Sequence, residues 1–145
     1  MPQRVYLTCI GGVIVQSALL SIHNAMFFVI LAAGIVTLVC GIVLIIMRRQ
    51  VDSGAAAGTL RIFRILLAVT AALGLLQDLA GVGLYLTGAR PGEGLHFVYG
   101  AIVLLAIPIA YVYSDQNQVR RDIIIMTIAV VAVLGAAFRA FATGS

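Results

Sequence analysis

The sequence predicts an all-α integral membrane protein, a four-helix transmembrane bundle of two repeated hairpins, and three observations carry that prediction. Hydrophobic residues fill 63% of the 145 positions and charged residues 10%, at a mean hydropathy of +1.16, which leaves too little polar surface to coat a water-soluble globule. Four apolar runs, at 25–47, 62–87, 95–113 and 123–142, approach or exceed the roughly 20 residues needed to cross about 30 Å of hydrocarbon. None of these runs shows period-2 alternation. Backbone polar groups in lipid must be satisfied internally, so continuous apolar runs point to helices rather than barrel strands. Little chain remains outside the runs, and 1–145 reads as a single transmembrane domain.

The N-terminal segment, residues 1–20, holds most of the apolar stretch VYLTCIGGVIVQSALLSI at 5–22. It is either a short fifth span, with Ser21 to Asn24 as a tight outer turn, or a helix lying on the outer membrane surface, because Gln16, Ser17 and Ser21 dilute its hydrophobicity. A secretory leader would need a more basic start than Arg4 alone and an A-x-A-like cleavage site, so the segment reads as retained. The first long run ends at Arg48-Arg49, and the longer, flexible connection VDSGAAAGTL leads into the second. That second run closes on Thr87-Gly88, with the glycine suited to a helix C-cap. The third run contains Pro108, expected to kink it by removing a backbone donor. The fourth begins after Arg120-Arg121 and ends before Thr143-Gly144.

The net charge of +4 comes from nine arginines and no lysine. They lie at helix ends, which argues for membrane orientation and against nucleic acid. Arg48, Arg49, Arg61 and Arg64 flank the first connection and Arg120 and Arg121 the third, against Arg4, Arg90 and Arg139 on the other side. An excess of cations marks the cytoplasmic face. The expectation is a bacterial-type inner (plasma) membrane protein with its C-terminus and both histidines, His23 and His96, on the periplasmic side. Tyr99 suits the outer interfacial belt, and Tyr111 and Tyr113 the inner one. Cys9 and Cys40 have no CxxC spacing and sit among apolar residues, so they read as structural thiols.

Two segments repeat. SIHNAMFFVILAA and GLHFVYGAIVLLA each place an apolar residue before a histidine and a bulky apolar run after it. The helices that follow also correspond: one runs from Arg64 to Thr87-Gly88, the other from Arg120 to Thr143-Gly144 over the same number of residues. Repeat one then spans 21–88 and repeat two 94–144. Hairpins that enter from one side are parallel repeats about an axis along the membrane normal, which brings equivalent residues to equal depth. In a four-helix bundle His23 and His96 would face each other across the interior.

A neutral imidazole is a strong ligand for iron, and two of them from separate helices can hold a haem iron from both sides. His23 and His96 are therefore the candidate metal ligands of a haem b. Gly100, one turn after His96, would leave room for the flat macrocycle, and Phe27 occupies the matching place in the first repeat. Arg139 and Arg90 lie at a depth suited to the haem propionates. Asp78, in GLLQDLAG, should lie about 13 Å below Thr87 at 1.5 Å per residue. A carboxylate at that depth needs a partner. Gly74, Asp78, Gly81 and Tyr85 share a face of the second run, and Ala132, Gly135, Arg139 and Ala142 a face of the fourth, which predicts an intramembrane Asp78–Arg139 pair between closely approaching helices. A proton relay or quinone contact is the other use for Asp78.

This layout, carried by SIH at 21–23 and GLH at 94–96, resembles half of the haem A synthase bundle and, more loosely, small membrane cytochromes b. The resemblance implies that His23 and His96 are axial ligands. Haem A synthases also carry a glutamate just ahead of a ligand histidine. Here Leu19, Leu20, Ser21 and Ile22 precede His23, and the sole glutamate, Glu93, lies in the loop before His96. Only the ligand role transfers.

No Ser/His/Asp set, HExxH, phosphate loop or carboxylate pair points to independent catalysis. The leading expectation is a small electron-relaying cytochrome, or a subunit of a larger redox complex, working beside quinone or other membrane redox subunits in the lipid bilayer. The alternative is a non-catalytic structural or assembly subunit of a respiratory or photosynthetic complex, in which the histidines are interface residues. A chlorophyll-type pigment would need only one histidine per magnesium and no facing pair. Transport would predict a polar path or broken helices, for which Asp78 and Pro108 are slight support.

Overall fold

A computed structural model describes the backbone of residues 2–114 and 118–144 and the side chains of 13–114 and 118–144. The described residues form five helices: α1 (Pro2–Ile46), the short α2 (Arg48–Asp52), α3 (Ala57–Leu86), α4 (Leu95–Val112) and α5 (Val119–Gly144). Four of them contain stretches long and apolar enough to cross a membrane, α1 through Val13–Ile46. The architecture is an all-helical transmembrane bundle.

The bundle forms because each long helix carries an apolar stripe at alternating spacings of three and four. On α1 the inward positions are Phe27, Ile30, Gly34, Thr37, Gly41 and Leu44. On α3 they include Phe63, Leu67, Thr70 and Gly74, and on α4 Val103, Ile107 and Ala110. A mean repeat of 3.5 residues keeps one seam facing its partners and gives the shallow crossings of a left-handed bundle. α5 is the most enclosed helix, burying residues from Asp122 to Thr143 that include Met126, Val130, Val133 and Ala137.

Around the bundle α1 touches α3 and α5, and α4 touches α3 and α5. This places α1 diagonally across from α4, and α3 diagonally across from α5. Lipid-facing surface is extensive, with Val29, Ile46, Leu86, Ile128 and Phe138 among the exposed large apolar residues.

Close approach of α1 depends on small residues. A methyl group on Gly41 would run into Thr127 Oγ1 and the Phe63 ring, and one on Gly34 would press on the Leu134 side chain. Between α1 and α3 the buried hydroxyls of Thr37 and Thr70 lie 3.0 Å apart, each also within reach of a carbonyl one turn back on its own helix. Two protons serve three contacts, so one hydroxyl donates along its helix and accepts from the other, which donates across the interface.

One local expectation is corrected. Ser21 to Asn24 form no turn, because α1 is one helix from Pro2 to Ile46. No glycine or proline stands between Gly12 and Gly34, and the Ser17 and Ser21 hydroxyls donate back to Ile14 and Ser17 carbonyls at 2.9 and 3.0 Å. Nothing there favours a break, so the N-terminal segment continues α1 in line rather than folding back as a separate fifth span. α4 runs through Pro108 as a single helix with that residue on the exposed surface. Cys40 is a free, partly buried thiol, whereas Cys9 lies outside the residues whose side chains are described.

Candidate functional site

Both histidines occupy inward positions of their helical stripes. His23 stands one turn before Phe27 on α1, and His96 one turn before Gly100 on α4. Because those helices are diagonal partners, the rings meet across the bundle with centroids 6.1 Å apart and planes inclined at 50°. With metal–nitrogen distances of about 2 Å and a ring centroid about 1 Å behind its nitrogen, two imidazoles on one ion have centroids about 6 Å apart.

Hydrogen bonds fix how each ring can act. The Nδ1 of His96 donates to the Ala140 carbonyl of α5 at 2.9 Å. A neutral ring held in this way carries its free lone pair on Nε2, the usual state of a ligating histidine. The Nε2 of His23 lies 3.3 Å from the Gln77 amide nitrogen on α3, while His23 Nδ1 and Gln77 Oε1 are buried without partners. Amide oxygen and nitrogen are exchangeable by a flip. In either orientation His23 Nδ1 remains unsatisfied. An orphaned buried nitrogen costs on the order of 1–3 kcal/mol and needs an explanation such as a bound group.

Glycines make room for both rings. A methyl group on Gly81 would lie 3.3 Å from His23 Cε1, and one on Gly144 would lie 2.9 Å from His96 Cε1. The two glycines are not counterparts in the repeat. When Arg64 is matched to Arg120 and Gly88 to Gly144, Gly81 corresponds to Ala137. The second helices of the hairpins therefore differ in register by seven residues, about two turns. Below the pair Phe27 stacks on Phe141, with centroids 4.3 Å apart and planes within 15°.

Comparison with protein-family models, curated proteins and solved structures gives no match to this chain. The site is therefore read from its own geometry.

Several residues expected around the histidines are placed differently. Gly100 faces Asp78, whose Oδ1 would lie 3.2 Å from a methyl group there, so the space expected for a macrocycle is taken by that carboxylate. No ion pair joins Asp78 to Arg139 among the described residues. The reason is rotational: α5 turns Val133, Ala136 and Ala137 inward and leaves Ala132, Gly135, Arg139 and Ala142 on its exposed side. α3 and α5 are also diagonal rather than adjacent. The Arg139 guanidinium rests instead over the Tyr99 ring at 5.8 Å. Arg90 is engaged locally, donating to the Tyr85 and Ala89 carbonyls at 2.9 and 2.8 Å and lying 4.0 Å from the centre of the Tyr85 ring. A cation at the C-terminal end of a helix satisfies its open carbonyls, and that role accounts for Arg90.

Sequence reasoning missed Gln77. Its neighbour Asp78 drew attention through its charge, but the 3.3 Å contact with His23 belongs to the neutral amide. The available signal was spacing. Gln77 continues the inward series Thr70, Gly74, whereas Asp78 is displaced by one position toward α4.

The donor set consists of two imidazoles. Among the described residues no cluster of three or more His, Cys, Asp or Glu side chains could share a metal ion. A bare zinc site takes three or four protein ligands. Two facing histidines are a donor pair for a metal whose remaining positions are filled by its own macrocycle, as for iron in haem, and a macrocycle there would have to displace the Asp78 carboxylate from Gly100.

Proposed function

We propose that this chain is a membrane-embedded haem b protein in which His23 and His96 are the two axial ligands, relaying single electrons as a small cytochrome or as a subunit of a larger redox complex. The observation that carries this reading is the 6.1 Å separation of the rings across diagonal helices. Haem iron held by His23 and His96 would supply a one-electron couple. The chain's part is positional. The Ala140 carbonyl holds His96 in the Nδ1–H tautomer and leaves Nε2 as the donor, while Gln77 fixes the His23 ring from the side. Arg139, exposed and adjacent to Ala140, is the cation best placed for a propionate.

The diagonal pairing of α1 with α4 and of α3 with α5 is the arrangement that two parallel hairpin repeats related along the membrane normal would adopt, and it supports that description of residues 21–88 and 94–144. The arginine distribution supports an inner-membrane orientation with the histidine end and C-terminus periplasmic. A quinone or neighbouring redox subunit is the partner class this placement suits.

The decisive measurement is the absorption spectrum of purified protein in detergent. A Soret band that shifts on reduction supports the reading, and His23→Ala and His96→Ala should each abolish the low-spin form. A colourless sample, or one carrying a magnesium pigment, would sink it.

A structural or assembly subunit is the second reading, favoured by one observation. Both rings already bond across helices, His23 to Gln77 and His96 to Ala140, so they can act as polar fasteners alone. In that case both substitutions would lower the melting temperature or release a partner complex without any spectral change.

A further inference from the structure

At the end of the bundle opposite the histidines, the last turn of α1, the start of α2 and the first turns of α5 enclose a groove of about 100 Å³ lined by Leu44, Ile45, Arg48, Arg120, Ile123 and Ile124. We propose that this groove binds one anionic phospholipid, with an acyl chain against the isoleucines and the phosphate between Arg48 and Arg120.

The two helices run in opposite directions, and each sets its arginine about one turn beyond the apolar pair. Arg48, the first residue of α2, follows Leu44 and Ile45 at the end of α1, and Arg120 precedes Ile123 and Ile124 on α5. Helical neighbours three and four residues apart share a face. Antiparallel packing therefore brings both cations to the same mouth of one apolar slot. Its floor is dry: Leu44 and Ile123 are 1% and 3% exposed. Ile45 and Ile124 form the rims at 38% and 45% exposed, as expected of side chains meeting a hydrocarbon tail.

Charge complementarity selects an anion. Arg48, Arg49, Arg61, Arg64, Arg120 and Arg121 stand at this end, against Asp52, Asp115 and Asp122 in the same connections. Arg120 pairs with Asp52, with Oδ2 at 4.0 Å from Nη1 and both side chains more than half exposed. Exposed pairs of this kind contribute about 0–1 kcal/mol, so a phosphate can share or displace Asp52. A second, wider cavity of about 450 Å³ adjoins through Arg120 and is lined also by Asp52, Gln118 and Arg121, which gives a polar headgroup room. Basic pockets between transmembrane helices are suited to anionic headgroups, with each cation contributing about 1 kcal/mol. The occupant is a lipid rather than a free anion because four of the six groove residues are apolar.

Full-length protein purified in detergent and titrated with phosphatidylglycerol, phosphatidylcholine or glycerol phosphate tests this by native mass spectrometry. One phosphatidylglycerol should be retained in preference to phosphatidylcholine. The double substitution Arg48→Gln, Arg120→Gln should weaken it by about 30-fold, from two cations at about 1 kcal/mol each. The same change at Arg61 and Arg64, outside the groove, should leave retention intact, and circular dichroism of both variants checks that they fold. Equal retention of the zwitterionic lipid, equal loss in both double variants, or binding of glycerol phosphate as tight as that of the lipid would each overturn the proposal.

Discussion

A single hydrogen bond decides what His96 can offer. With Nδ1 committed to the Ala140 carbonyl at 2.9 Å, its Nε2 carries the lone pair, and the same bond fastens α4 to α5. Asp78 is the other residue whose behaviour the geometry determines. It has no cationic partner at Arg139, so neutralising it removes a charge that is costly to keep away from water. Asp78→Asn and Arg139→Gln are each expected to leave the melting temperature unchanged, or raised in the case of Asp78→Asn. A buried Asp78–Arg139 pair would instead lose about 3–5 kcal/mol when either partner is removed. Thermal unfolding of the two variants in detergent separates these outcomes. The histidines were legible in the sequence because they are the only two and both begin apolar runs. Gln77 was not, since neutral amides carry no signal until the helix is turned to show which positions face inward.

For the helices, the controlling feature is how closely α1 lies against its neighbours. Gly41 has no room for a methyl group because Thr127 and Phe63 stand against it, and Phe63 is 1% exposed and cannot withdraw. Gly34 meets only the far end of Leu134, a side chain that can rotate away. Gly41→Ala should therefore destabilise by about 1–3 kcal/mol, the usual cost of overpacking, while Gly34→Ala should cost less than 1 kcal/mol. Similar melting temperatures for the two variants would contradict this account of the α1–α5 and α1–α3 contacts. Apolar runs located four of the helices to within a few residues of Ile46, Leu86, Val112 and Gly144. The start of α1 was not legible, because serine and glutamine look like a turn in a sequence, yet serine hydroxyls bond back along a helix as readily as they cap one.

For the whole molecule, the main consequence is topological. Four membrane-crossing stretches place the connection after Ile46 and the connection after Leu86 on opposite sides of the bilayer. In a chain with Cys9 and Cys40 replaced by serine, a cysteine at Ser53 should be labelled by an impermeant reagent from one side only, and a cysteine at Ala89 from the other. Labelling of both from the same side would contradict the span assignment. The helix α1 also bears on this scale: its 45 residues measure about 67 Å at 1.5 Å each, far more than the roughly 30 Å of a hydrocarbon core. Val13, Ile14 and Val15, 67%, 61% and 53% exposed, belong to the part that outreaches the bundle.

Composition and apolar run length by themselves determined that this chain is a helical membrane protein with four spans, because transfer of backbone and side chains into lipid depends only on local hydrophobicity and internal hydrogen bonding. They also singled out His23 and His96. Only the tertiary structure decided that α1 and α4 stand diagonally, so that the rings come within 6.1 Å. It likewise decided that α5 presents Arg139 outward and that Gly100 receives Asp78. These are matters of helix rotation and register, which many interlocking side chains set together and which no single segment encodes.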